Sequence, residues 1–134
     1  MREVTASRFV SATPTELDRL LTPRQVIEYE GSFSVDAVAE TDAGTVVTAS
    51  GPGLTLQYRF VPQPDGWYYE QAGEAGPFET METWLTIDQE SEGSNLTMRS
   101  AVALSLPLPF ADRLAGWKRR GELKRALTAI VAEC

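Results

Sequence analysis

The sequence predicts an α+β fold: a curved antiparallel sheet of six to seven strands, in the order β-α-α-β-β-β-β-β-β-α, wrapped around one long C-terminal helix. Three observations predict it. From Tyr29 to Pro107 the chain reads as strands separated by short Gly, Pro and Asp turns, which forces antiparallel neighbours. Two capped helix starts follow one another near the N-terminus, too close together for either helix to be long. The only run long enough for a helix of several turns is the tail, Pro109 to Cys134.

The first strand is read from Glu3 to Ser11, where Val4, Ala6, Arg8 and Val10 alternate with Glu3, Thr5, Ser7 and Phe9. Thr13-Pro14-Thr15-Glu16 supplies an N-cap threonine, a proline at the first helical position and a glutamate at the third, a capping box. Thr22-Pro23-Arg24-Gln25 repeats the device, so two short helices are expected over about 14–21 and 23–28. Phe33 to Ala37 alternates, Asp42-Ala43-Gly44 turns the chain, and Thr45 to Ser50 is the next strand, ending at Gly51-Pro52-Gly53. Leu54, Leu56, Tyr58 and Phe60 give the clearest period of two, followed by the turn Pro62–Gly66 and a strand from Trp67 to Gln71. A break at Gly73–Gly76 precedes two long strands, Phe78–Asp88 and Leu96–Leu106, joined by the polar loop Glu90–Ser94. Pro107-Leu108-Pro109 stops the sheet and opens the last helix.

That last helix is apolar on two sides. Phe110, Leu114 and Trp117 make one stripe, continued by Gly121, and Leu123, Leu127, Ile130 and Cys134 make another almost opposite. Either the helix bends near Gly121 or its first turns cover a different surface from its last. Both stripes read as ordinary core contacts; alternatively Phe110, Leu114 and Trp117 form a movable lid over a cavity mouth.

Composition narrows the chemistry. The 134 residues suit one domain, and the formal charge is −7. It is uneven: residues 1–107 hold 16 acids and 6 bases (−10), residues 108–134 hold 3 acids and 6 bases (+3). An acidic body argues against nucleic acid as a partner. The basic cluster Lys118, Arg119, Arg120, Lys124 and Arg125 reads as a solvated helix face rather than a phosphate or headgroup site. Two lysines against ten arginines resemble proteins adapted to high salt. There is no histidine and the single cysteine is the last residue, so Ser-His or Cys-His catalysis, a disulfide within the chain and a zinc site are not expected; no cofactor is implied. No apolar run has membrane-spanning length and Met1-Arg2-Glu3 leads straight into a strand, so a cytoplasmic protein without stable membrane insertion is expected.

Val10-Ser11-Ala12-Thr13-Pro14-Thr15-Glu16-Leu17 resembles the strand-Ala-Pro-helix opening of the START-like, polyketide cyclase or SRPBCC superfamily. Trp84-Leu85-Thr86-Ile87, with Ser94-Asn95-Leu96-Thr97-Met98 after a polar hairpin, is similar to that group's penultimate hairpin, and the long last helix completes its helix-grip fold. The resemblance spans the whole chain by element order. It implies a deep hydrophobic cavity between sheet and helix; members bind lipids, sterols, quinones and polyketides, and some catalyse cyclisation or dehydration. It carries no family-wide catalytic residue over.

If each strand's apolar face looks inward, the cavity wall comprises Val35, Leu56, Tyr58, Phe60, Met81, Leu85, Met98, Val102 and Leu104, closed by Phe110, Leu114 and Trp117. Each of these also reads as a plain core residue. Arg8 lies on the Val4, Ala6, Val10 face, so alternation points it inward, either as an anchor for an acidic or carbonyl-bearing ligand or as an ion-paired or solvated edge residue. Tyr58 can place a hydroxyl in the cavity or at its rim. Parity is open at Tyr68 and Tyr69, while Glu79 or Glu82 would serve as a base only if buried, and alternation turns Glu82 outward. No spacing forces two carboxylates together. The expected function is binding or transport of a small hydrophobic molecule; the alternatives are a protein-interaction or homodimer module built on the Phe110/Leu114/Trp117 stripe, and a cyclase- or lyase-like enzyme.

Overall fold

The computed structural model describes residues 1–73, 78–104 and 108–134. The expected break at Gly73–Gly76, the end of the last strand at Leu106 and the stop at Pro107 fall wholly or partly outside them. Ten elements follow in chain order: β1 (Arg2–Val10), α1 (Pro14–Leu20), α2 (Pro23–Glu30), β2 (Ser34–Thr41), β3 (Gly44–Gly51), β4 (Leu54–Gln63), β5 (Gly66–Ala72), β6 (Thr80–Glu90), β7 (Gly93–Ala103) and α3 (Ala111–Glu133). The strands form one seven-stranded antiparallel sheet in the order β1-β7-β6-β5-β4-β3-β2. This is the α+β arrangement that the turns and the long tail predict.

Both short helices start where their side chains dictate. The Thr13 hydroxyl accepts the Glu16 N–H at 3.2 Å while the Glu16 carboxylate reaches back to the Thr13 N–H at 3.4 Å. The Thr22 hydroxyl caps Gln25 N–H at 3.3 Å. α2 runs two residues past the expected end at 28, because Gly31 supplies the left-handed turn (φ 77°) that stops it. The Arg125 guanidinium donates to the Glu30 carbonyl at 2.7 Å and so satisfies a helix-end acceptor. These two residues matter, since they make Glu30 helical and turn it inward behind Val26 and Ile27.

The expected polar loop Glu90–Ser94 is shorter than read. β6 and β7 pair as far as Glu90 and Gly93, leaving Ser91-Glu92 as the turn, with Ser91 at φ 53°. A bulge between Val35 and Ala37 shifts the register of β2, and beyond it that edge strand is exposed. α3 packs on β1, β7 and α2. It is one uninterrupted helix of 23 residues. Its first turns come close to the sheet edge because they present Ala111, Ala115 and Gly116; a Cβ on Gly116 would lie 2.6 Å from the Arg2 side chain.

The inner face of the sheet follows the period of two. Leu56, Tyr58 and Phe60 of β4, Tyr69 of β5, Met81 and Leu85 of β6, and Leu96, Met98 and Val102 of β7 are all buried in one core. One row across it is polar. Ser100 stands opposite Thr83, Thr83 opposite Tyr69, and Tyr69 opposite Phe60, whose ring stacks on it at 4.4 Å.

Candidate functional site

That polar row meets a charge from α3. Arg119 is 1% exposed and sits on the helix face defined by Ala115, Glu122, Leu123 and Ala126. The small residues before it leave depth for its long side chain. Its Nη1 donates to Glu30 Oε1 at 2.7 Å and to Glu122 Oε1 at 3.1 Å. Its Nη2 donates to Glu30 Oε2 at 3.0 Å, to the Tyr69 hydroxyl at 3.2 Å and to Thr83 Oγ1 at 2.7 Å. Its Nε donates to Ser100 Oγ at 3.1 Å. The fork thus holds Glu30 bidentately and reads three hydroxyls on three adjacent strands.

The remaining protons are accounted for. Tyr69 donates to Glu30 Oε2, and Ser100 donates to the Glu82 carbonyl at 2.8 Å. Ser32 donates to Glu122 Oε2, and Lys118 approaches that oxygen at 3.5 Å from the rim. Two carboxylates and two cations balance. Among the described residues no buried side-chain nitrogen or oxygen lacks a partner, as a buried polar cluster requires.

Burial and neighbouring charge act in opposite senses on Arg119 and Glu122. Burial opposes the Arg119 charge, but Glu30, Tyr69 and Glu122 outweigh it and hold its pKa above the ordinary arginine value. Burial would raise the Glu122 carboxyl; the Arg119 charge, the Ser32 hydroxyl and Lys118 overcome it and leave it lowered. Burial, then the Glu30 charge, push Tyr69 well above a free tyrosine, so it stays a neutral donor. Burial does the same to Tyr58, whose ring meets Tyr69 edge-on at 6.5 Å.

Of the residues expected to line a cavity, Leu56, Tyr58, Phe60, Met81, Leu85, Met98 and Val102 are buried on the inner face around this cluster, and Val35 and Leu104 are half-buried at its margins. The other expected positions lie elsewhere. Arg8 does share the face of Val4 and Val10, but β1 is the edge strand. Its side chain is exposed and, among the described residues, its guanidinium reaches only Thr128 Oγ1, at 3.4 Å. Phe110, Leu114 and Trp117 do not close a cavity: they are 55, 44 and 76% exposed. A straight helix can bury only one of two opposed stripes, and the sheet takes the side with the small residues. Tyr68 and Glu82 stay off the core, with Tyr68 against Trp84 and Glu70, and Glu79 is exposed.

Arg119 is the correction of most consequence. The sequence reading places it on a solvated basic face, and it is the most enclosed charge among the described residues. Glu30, Glu122, Thr83 and Ser100 escape that reading as well. A signal exists: with Ala and Gly counted as apolar, 111, 115, 116, 119, 122, 123, 126, 127 and 130 form one continuous helical stripe, with Arg119 at its centre. Among the described residues no group of His, Cys, Asp and Glu is arranged to hold a metal, and no helix is long and apolar enough to cross a membrane.

No protein-family model matches the chain, and no curated protein matches it either. Solved structures do. Protein XoxI from Bacillus cereus superposes with a TM-score of 0.78 at 16% identity, over 99% of this chain and 95% of that one. A START superfamily protein from Mycobacterium smegmatis gives 0.72 at 14% identity, over 98% and 97%. The fold is the START-like helix-grip fold. The Zhui aromatase/cyclase from Streptomyces sp. R1128 shares it as well, with a TM-score of 0.71 at 15% identity over 98% of this chain and 89% of that one. At such identities the likeness is one of architecture, and chemistry must come from this chain's own residues.

Proposed function

We propose that the protein binds a small, mainly apolar molecule bearing a carbonyl or carboxylate, between the sheet and α3, with the Arg119 cluster gripping the polar end. One observation carries this reading: a charged, hydrogen-bonded cluster is set into an apolar face where hydrophobic side chains would pack at lower cost. Nη1 of Arg119 is shared between Glu30 and Glu122, so a ligand oxygen can replace the longer contact, to Glu122, without stripping the guanidinium bare. Tyr58, Met81, Met98 and Val102 are buried in the core beside it and would repack around the apolar part of the ligand, the methionines most readily. The START superfamily and aromatase/cyclase neighbours agree with small-molecule binding at the level of fold.

Native mass spectrometry of the purified chain, with displacement of a fluorescent fatty acid, tests it. Stoichiometric uptake is expected, weakened about tenfold in Thr83→Val, which leaves Arg119 one acceptor short. Failure of the parent to take up any apolar carboxylate or ketone overturns the reading.

A cyclase- or lyase-like activity is the second reading. It is favoured by the convergence of a neutral tyrosine donor, a carboxylate and a guanidinium, those of Tyr69, Glu30 and Arg119. Tyr69 would donate to a substrate carbonyl with Arg119 stabilising the developing oxyanion. Turnover of a bound ketone by the parent and not by Tyr69→Phe would distinguish it from simple carriage.

A further inference from the structure

The apolar residues that α3 leaves in solvent are grouped. Phe110, Leu114 and Trp117 recur at i, i+4, i+7, and Leu108, 47% exposed, precedes them. With Arg113 the three line an open hollow of about 460 Å³. At 100° per residue, Arg113, Arg120 and Lys124 fall with them on one arc of about 160°, together with Lys118, which leans on Glu122, and Arg125, whose Nη1 holds the end of α2. The acids of the helix do not share it. Asp112 holds the N-terminal ammonium at 2.6 Å, Glu122 is buried on Arg119, and Glu133 lies at the far end on the opposite side. Arg8 of β1 extends the basic strip, lining a groove of about 420 Å³ with Arg120 and Lys124.

We propose that this face of α3 docks the protein on an anionic lipid bilayer. Leu108, Phe110, Leu114 and Trp117 enter the boundary between headgroups and acyl chains, and the flanking arginines and lysines lie over lipid phosphates. Aromatic and leucine side chains between rows of basic residues, on a helix lying in the surface plane, are what an interfacial helix requires. Charge complementarity selects this occupant. Residues 108–134 carry +3 against −10 on the rest of the chain, so an anionic surface attracts this face and repels the body, which sets the orientation. A second copy meeting it across a two-fold axis would set these cations against themselves. A soluble anion would leave the aromatic wedge uncovered.

The experiment is co-sedimentation of the full chain with vesicles of phosphatidylglycerol and phosphatidylcholine, against phosphatidylcholine alone, at low and high salt. Binding about tenfold stronger to the anionic vesicles and weakened by salt is expected. Trp117 fluorescence should shift to the blue on binding, because Trp67 and Trp84 are already half-covered by protein. Trp117→Ala should weaken binding about tenfold, and Arg120→Glu with Lys124→Glu should erase the preference for anionic lipid. Neither change touches the Arg119 cluster, so thermal stability and uptake of soluble apolar ligand should be unchanged. Equal binding to both vesicles, binding to neither, or a parent dimer in light scattering that Trp117→Ala dissolves would overturn the proposal.

Discussion

The two faces of α3 invert the usual arrangement. Its inner face carries Arg119 and Glu122, both almost fully enclosed, while its outer face carries Phe110, Leu114 and Trp117 in solvent. The inner charges are tolerable only because Glu30, Tyr69, Thr83 and Ser100 converge on them from four other elements. Among the described residues the outer hydrophobics have no such answer. The difference teaches that hydrophobicity along a helix does not by itself say which side is the core. A side chain goes inside when the rest of the fold can meet its needs.

The largest test breaks the inner side. Arg119→Met leaves Glu30 and Glu122 buried without their cation and should cost about 3–5 kcal/mol in urea unfolding, whereas replacing all three by apolar residues should restore most of it. A single-variant loss of under about 1 kcal/mol would show that the cluster is not enclosed as described. Next, the same substitution can be made on each face. Leu123→Ala, fully buried, should lose about 2–5 kcal/mol, while Leu114→Ala should stay within about 0.5 kcal/mol of the parent. Tyr69→Phe removes a donor to a charged acceptor and should cost about 2 kcal/mol by the same measurement.

The smallest expected effects are those of pH. The Glu122 carboxyl is lowered in the fold from 4.5, so its contribution is present above that value and is lost as pH falls through its folded pKa. Glu70, lowered chiefly by its hydrogen bonds from Arg59, has the same sign. Tyr69 and Tyr58 are raised above 10.0, so their contribution is whole below that pH and declines above it, as the unfolded chain ionises first. Chemical denaturation across pH should therefore show a plateau between the carboxylate and tyrosine ranges. Stability that keeps rising above pH 10 would contradict the burial of Tyr69.

Local features were readable and distant ones were not. Thr13-Pro14 and Thr22-Pro23 mark their helices because a cap acts within four residues. The inward set Leu56, Tyr58 and Phe60 follows from alternation alone. Between Tyr68 and Tyr69, however, sequence offers two equal parities, and the register that pairs Tyr69 with Phe60 and Thr83 chooses. Glu30 lies two residues past the helix end that the sequence predicts, and alternation points Arg8 inward because it cannot tell an edge strand from a central one.

The sequence by itself determined the order of elements, the antiparallel meander and the asymmetry of charge, since turns, caps and strand periods act between near neighbours. The sequence offers two candidate inner stripes on the last helix, and the tertiary structure decided between them, turning Arg119 in and Trp117 out. That choice rests on Glu30, 89 residues away in the chain, and on hydroxyls from separate strands, groups that meet the guanidinium only once the sheet has formed against the helix.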